Sequence, residues 1–142
     1  MDYQFGIIPK KDYNKIIDLV YLLNEAKVAE SELRLRFSEM KDQNYECAGV
    51  FDANADLIGV SGIWFCTRHY AGKSAELDHV FIKPEHRNNG LGQVFMAWIE
   101  AYLKRKGCQS IELNTYVQNY SSHKFYYKEG YKILGYHFFK KL

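Results

Sequence analysis

The spacing of apolar residues along the chain switches between alternation and a helical repeat, and the switches divide it into elements. Residues 3–8 alternate as a short strand, and Pro9 ends it ahead of Asp12, a residue suited to cap a helix carrying Ile16, Ile17, Leu19, Val20, Leu22 and Leu23. A second amphipathic stretch over residues 30–40 sets Leu33, Leu35 and Phe37 among charges and predicts a second helix. From Tyr45 the texture is that of strands: residues 46–51, a turn at 52–56, then 57–67 with its β-branched and aromatic side chains. A turn near 70–73 leads into residues 75–83, apolar at Leu77, Val80, Phe81 and Ile82 and closed by Pro84. The most regular helical signal follows Gly90, where Leu91, Val94, Phe95, Trp98, Ala101 and Tyr102 recur until a basic last turn and Gly107. Residues 110–115 then predict a short strand, 120–128 a helix and 131–139 a final strand. The order β-α-α-β-β-β-α-β-α-β predicts an α/β (α+β) fold, a mixed and mostly antiparallel central sheet with helices on both faces.

Composition narrows this without changing it. A chain of 142 residues is long enough to enclose one core, and no repeat or linker divides it, so a single domain over 1–142 is expected. The 47% hydrophobic and 16% aromatic content, with 2 prolines, excludes a disordered chain. A net charge of +2 from scattered basic residues gives no footprint for nucleic acid. The amino terminus lacks a basic-then-apolar leader, and the most apolar window, 57–66, is too short to span a bilayer, so a cytoplasmic protein without a membrane partner is expected. Cys47, Cys66 and Cys108 are widely spaced, with no CxxC and no neighbouring His pair, and are expected to be reduced, mostly buried thiols rather than metal ligands.

The chemistry-bearing segment is IKPEHRNNGLGQVF, which puts a strand end, a glycine-bearing turn and a helix start within a few residues. Gly90 and Gly92 let backbone approach a ligand closely, and the free N–H groups of a first helical turn attract anions. The spacings of a P-loop and of the GxGxxG dinucleotide fingerprint are both absent, which leaves an R/Q-x-x-G-x-G/A pattern at Arg87–Asn88–Asn89–Gly90–Leu91–Gly92.

On these residues the chain resembles the GCN5-related N-acetyltransferase (GNAT) superfamily. LDHVFIKPEHRNNGLG is similar to that family's strand, V-x-P-x-x-R turn and glycine loop, and NYSSHKFYYKEGY to its later N-x-x-A-x-x-F-Y-x-x-x-G-F segment. The likeness covers the C-terminal half from Glu76; the N-terminal half agrees in its order of elements. It implies transfer of an acetyl group from acetyl-coenzyme A directly to a primary amine through a ternary complex, with no metal. It implies a pyrophosphate on the amides of Arg87, Asn88, Asn89, Gly90, Leu91, Gly92 and Gln93, a pantetheine arm along Val80, Phe81 and Ile82, and a further contact from Asn119. Asn89 departs from a frequent basic residue and Ser122 from the usual alanine.

Acyl transfer to an amine needs a base for the nucleophile and a proton for the leaving thiolate. Tyr126 stands where many relatives place the proton donor. For the base, Glu76 aligns with the glutamate of histone-type relatives, Asp78 lies two positions on and shares its face in a regular strand, and relay through water is the third route. His79 between them should point the other way, as a packed or hydrogen-bonded residue. Asn114 stands where some relatives carry a carboxylate. The acceptor, a small-molecule or protein amine, is expected near Tyr21, Glu25, Glu30, Glu32, Tyr116 and Tyr136. Two other readings stay open: a non-catalytic acyl-coenzyme A-binding module, and a structural domain whose C-terminal aromatics, YHFFKKL, join a homodimer.

Overall fold

The computed structural model describes residues 2–142 and divides them by contact into two compact units, Met1–Glu112 and Leu113–Leu142. The first holds nearly all of a five-stranded sheet of spatial order β1-β2-β3-β4-β5, formed by β1 (Gln4–Ile7), β2 (Tyr45–Phe51), β3 (Leu57–Arg68), β4 (Gly72–Ile82) and β5 (Ser110–Leu113). The first four strands run antiparallel to their neighbours, as short connections allow. The turn between β2 and β3 is closed by the Asp52 carboxylate, whose Oδ1 accepts from the amides of Asn54 at 2.9 Å and Asp56 at 3.0 Å.

Strand parity sorts the two faces. On one, α1 (Tyr13–Leu23) and α2 (Glu30–Met40) bury Ile16, Ile17, Leu19, Val20, Leu33 and Phe37 against Tyr45, Cys47, Val60 and Phe81. The alternate strand residues, among them Phe5, Val50, Ile63 and Leu77, take the face where Phe5 stacks on Phe95 and Trp98 of α3 (Leu91–Arg105). The helices on both faces thus follow from the period switches in the sequence. Leu22 and Leu35, which the repeat placed on buried faces, are each 56% exposed. Asp12 sits at the N-cap of α1 but makes no side-chain cap bond, because a 3-10 turn over Lys10–Asp12 leads into the helix.

Within Leu113–Leu142 the only regular helix among the described residues is α4 (Tyr120–Lys128), with Asn119 at its N-cap. The final strand expected over residues 131–139 is not formed: residues 131–142 carry no regular element. Their alternating aromatics encode a preference for extended backbone, but a strand exists only where a partner supplies its ladder, and no pairing to them is found among the described residues. Ile133, Leu134, Tyr136, Phe138 and Phe139 are accordingly exposed.

Cys47 is buried and its thiol is pushed up to about 12 by that burial, while Cys66 and Cys108 are partly covered; all three are free thiols. No group of metal-ligating side chains and no helix long and apolar enough to cross a membrane occurs among the described residues.

Candidate active site

The glycine loop forms where β4 ends. Pro84–His86 makes one 3-10 turn, Asn88 and Gly90 take left-handed φ values of 63° and 81°, and α3 starts at Leu91. A Cβ built on Gly90 would meet nothing within 4 Å, so glycine is there for its dihedral and the outer side of the loop is open. Two side chains of the loop have structural tasks. Arg87 Nε donates to the Ile82 carbonyl at 2.6 Å and its guanidinium lies 5.1 Å from the Phe81 ring, which closes the strand-to-loop corner. Asn89 Oδ1 accepts from the Leu91 amide at 3.1 Å, and its Nδ2 donates to the Tyr3 hydroxyl at 3.4 Å. That hydroxyl also bonds His86 Nδ1 at 3.0 Å, which ties the loop to the start of the chain.

The amide ledger of the helix start is short. Leu91 N–H is taken by Asn89, and Val94 N–H begins the intrahelical ladder by donating to Gly90 at 3.3 Å. The amides of Gly92 and Gln93 lie between them and find no acceptor among the described residues, the usual state of first-turn donors. A 15-residue helix adds its dipole behind them. Two unpaired donors at a positive helix end fit a doubly charged diphosphate, and Asn89 in place of a basic residue takes the Leu91 amide rather than adding charge.

The second feature is a β-bulge in β4. Gly62 pairs with Asp78 and Val60 with Phe81, so His79 and Val80 together oppose Ser61 alone. His79 absorbs the extra residue with φ of 36°, a left-handed value that costs a non-glycine residue about 1–2 kcal/mol. The bulge overturns the expectation that His79 points away from its neighbours: its ring lies on the face of Tyr45 and Trp64. Tyr45 Oη is 2.6 Å from His79 Nε2, and the Phe37 ring meets the imidazole edge-on at 5.8 Å. Gly62 beneath has no room for a side chain, since a Cβ there would stand 2.3 Å from His79 Nε2. The other nitrogen, Nδ1, is buried with no hydrogen-bond partner, and burial holds the imidazole below its ordinary pKa. Sequence reasoning recognised the packing of His79 but not its direction; a glycine in the middle of an otherwise β-rich strand, Gly62, was the one local hint.

Glu76 and Asp78 share that face, as expected. Glu76 pairs across the ladder with Trp64, and Trp64 Nε1 donates to Asp78 Oδ2 at 3.3 Å. Asp78 Oδ1 accepts from the His79 amide at 2.8 Å, so both oxygens hold the bulge. Arg68 Nη2 lies 3.5 Å from Glu76, and Arg68 Nε lies 3.2 Å from Glu112, which also accepts from the Tyr70 hydroxyl at 2.5 Å. Of these groups Trp64, Arg68 and Glu76 border an open cavity of about 510 Å³, lined also by Asn44 and Cys66. Arg68 was not singled out in the sequence because nothing local marks an exposed arginine near a strand end. Of the acids expected around an acceptor, Glu30 pairs with Arg34 at 2.6 Å and Glu32 with Arg36 at 3.8 Å along α2, while Glu25, in the turn after α1, pairs with Lys27 at 3.7 Å.

In the unit Leu113–Leu142, Tyr126 lies on α4 with its ring 5.3 Å from Phe125 and 5.5 Å from Tyr131, and burial raises its phenol above the ordinary value. Asn119 Oδ1 accepts from Ser121 Oγ at 3.4 Å, and His123 Nε2 donates to the Tyr116 carbonyl at 2.9 Å.

The family model described as Acetyltransferase (GNAT) family matches residues 14–131. The aminoalkylphosphonate N-acetyltransferase of Salmonella typhimurium is 31% identical over 90 residues, 63% of this chain and 58% of that protein. The spermidine N(1)-acetyltransferase of Thermoplasma acidophilum is 30% identical over 112 residues, 79% of this chain and 60% of that protein. The matches therefore span a little under two thirds of the length of either curated relative. Among solved structures, AAC(6')-Iy in complex with the bisubstrate analog CoA-S-monomethyl-acetylneamine superposes with a TM-score of 0.79 at 16% identity, covering 100% of this chain and 99% of that one, a likeness of fold.

Proposed function

The chain belongs to the acetyltransferase (GNAT) family, and from that premise we propose that it is an acetyl-coenzyme A-dependent N-acetyltransferase acting on a small primary amine. The observation that carries this reading is the pair of unpaired amides, Gly92 and Gln93, at the head of α3, directly after a bulged strand that ends beside them. A fold that needed only a strand-to-helix turn would not require left-handed Asn88 and Gly90 to hold that turn open.

Gly92 and Gln93 bind the diphosphate of the acyl donor, and Val80, Phe81 and Ile82 offer their backbone to its arm. The donor supplies an acetyl thioester. Glu76, bordering the cavity with Trp64, removes a proton from the acceptor ammonium; Asp78 or an intervening water is the alternative route, and the ties of Asp78 to Trp64 and to the bulge favour Glu76. The amine nitrogen forms its bond to the acetyl carbon as the carbon–sulfur bond breaks, and the Tyr126 hydroxyl gives its proton to the departing sulfur. Burial suits Tyr126 to this task, because it keeps the phenol protonated until a stronger base appears. The nitrogen loses its second proton as the amide forms, and that proton returns through solvent to Tyr126 while Glu76 releases the first, so ammonium and thioester give amide, thiol and one proton.

The named relatives acetylate an aminoalkylphosphonate and spermidine, both small amines. The test is a panel of primary amines with acetyl-coenzyme A and a free-thiol reporter: amine-dependent thiol release is expected. Tight binding of coenzyme A without release on any amine would convert the reading to an acyl-coenzyme A-binding module.

A further inference from the structure

We propose that His79 is a positioning residue, a buried wedge whose ring over Gly62, tied to Tyr45, keeps β4 bulged at His79–Val80 and so aligns the Val80–Ile82 backbone for the acyl donor. The inference rests on the assignment of the donor's arm to that backbone made above.

The bulge works against the sheet that contains it. A regular ladder would pair position 79 with Ser61; instead the register slips between Val60 and Gly62, His79 takes a φ of 36°, and Nδ1 is buried with no partner. Strain of this kind persists only where surrounding contacts over-determine it. Here three separate elements do so: Tyr45 of β2 bonds Nε2 at 2.6 Å, Gly62 of β3 leaves the space the ring fills, and Phe37 of α2 meets the ring's edge at 5.8 Å. Asp78 adds a fourth tie by accepting the His79 amide at 2.8 Å. None of these contacts reaches the cavity beside Glu76, so the imidazole is not a base for the acceptor. What the ring determines is the path of the next three residues, whose backbone leads into the glycine loop.

The wedge is tested with the full chain by steady-state kinetics in acetyl-coenzyme A at saturating amine and by calorimetry with coenzyme A. His79→Ala is expected to raise both KM for acetyl-coenzyme A and Kd for coenzyme A by about 2- to 10-fold, the scale of one lost backbone hydrogen bond to a bound ligand. Gly62→Ala leaves His79 in place but drives a methyl into its ring, and should give the same shift; the double variant should be no worse than either single one, because both remove one device. His79→Gly accepts the left-handed φ without strain, which guards against a folding defect, and added imidazole should restore its affinity. A structural role alone would lower kcat with the folded fraction and leave KM unchanged. The proposal is overturned if folded His79→Ala and Gly62→Ala bind coenzyme A as the native chain does, or if His79→Gly ignores imidazole. If the native chain itself binds no coenzyme A, the donor assignment fails first and the wedge with it.

Discussion

Replacing Gln93 with proline removes one hydrogen atom of interest, the amide proton held out at the head of α3. Position 93 lies in the first turn, where an amide has no intrahelical acceptor and proline is tolerated. Gln93 N–H has no partner to lose in the free protein, so the fold should survive. A hydrogen bond from an amide to a charged acceptor contributes about 1.5–3 kcal/mol, so losing it should raise the Kd for coenzyme A roughly 10- to 150-fold. Gln93→Ala is the control: it keeps the amide, drops an exposed side chain and should bind nearly as the native protein does. Isothermal calorimetry with coenzyme A, with thermal melts of each variant, separates a lost contact from a lost fold. A Gln93→Pro protein that melts normally and binds with native affinity would refute the view that this amide grips the diphosphate.

Three further outcomes follow from the same geometry. Tyr126→Phe should lower kcat by about 100-fold or more while leaving coenzyme A affinity nearly unchanged, as steady-state kinetics and calorimetry would show; full activity would remove Tyr126 as proton donor. Glu76→Gln should lower kcat at neutral pH on a similar scale, with activity recovering as pH rises and more acceptor is already unprotonated; a loss that is the same at every pH would speak against a base at this position. Burial holds His79 below its ordinary pKa, so between pH 7 and 5 the unfolded chain gains a proton that the folded chain refuses, and stability falls as pH falls. Melting temperatures measured across that range should decline less steeply in His79→Gln than in the native protein, and parallel slopes would contradict the burial argument.

The helices and the meander of strands were legible because their causes are local. The second helix, Glu30–Met40, and the helix at Tyr120–Lys128 fall where the residue pattern puts them, and the repeat after Gly90 marked α3 to within a residue. The glycine loop was legible for the same reason: Pro84, Gly90 and the helix signal lie within one short stretch. What could not be read is relational. The bulge depends on how β4 registers against β3, and only that register turns His79 onto the face of Glu76 and Asp78. Arg68 meets Glu76 and Glu112 from positions that are distant in the chain. The segment over residues 131–139 has a strand's alternation, yet alternation states which residues would share a face, not whether a neighbouring strand exists to pair with them.

A crystal of the protein grown with coenzyme A measures the central claim directly. The diphosphate oxygens should lie within hydrogen-bond distance of the Gly92 and Gln93 amides, with the pantetheine running beside Val80–Ile82. A diphosphate bound elsewhere, or those two amides pointing at water in a crystal saturated with the nucleotide, would contradict it.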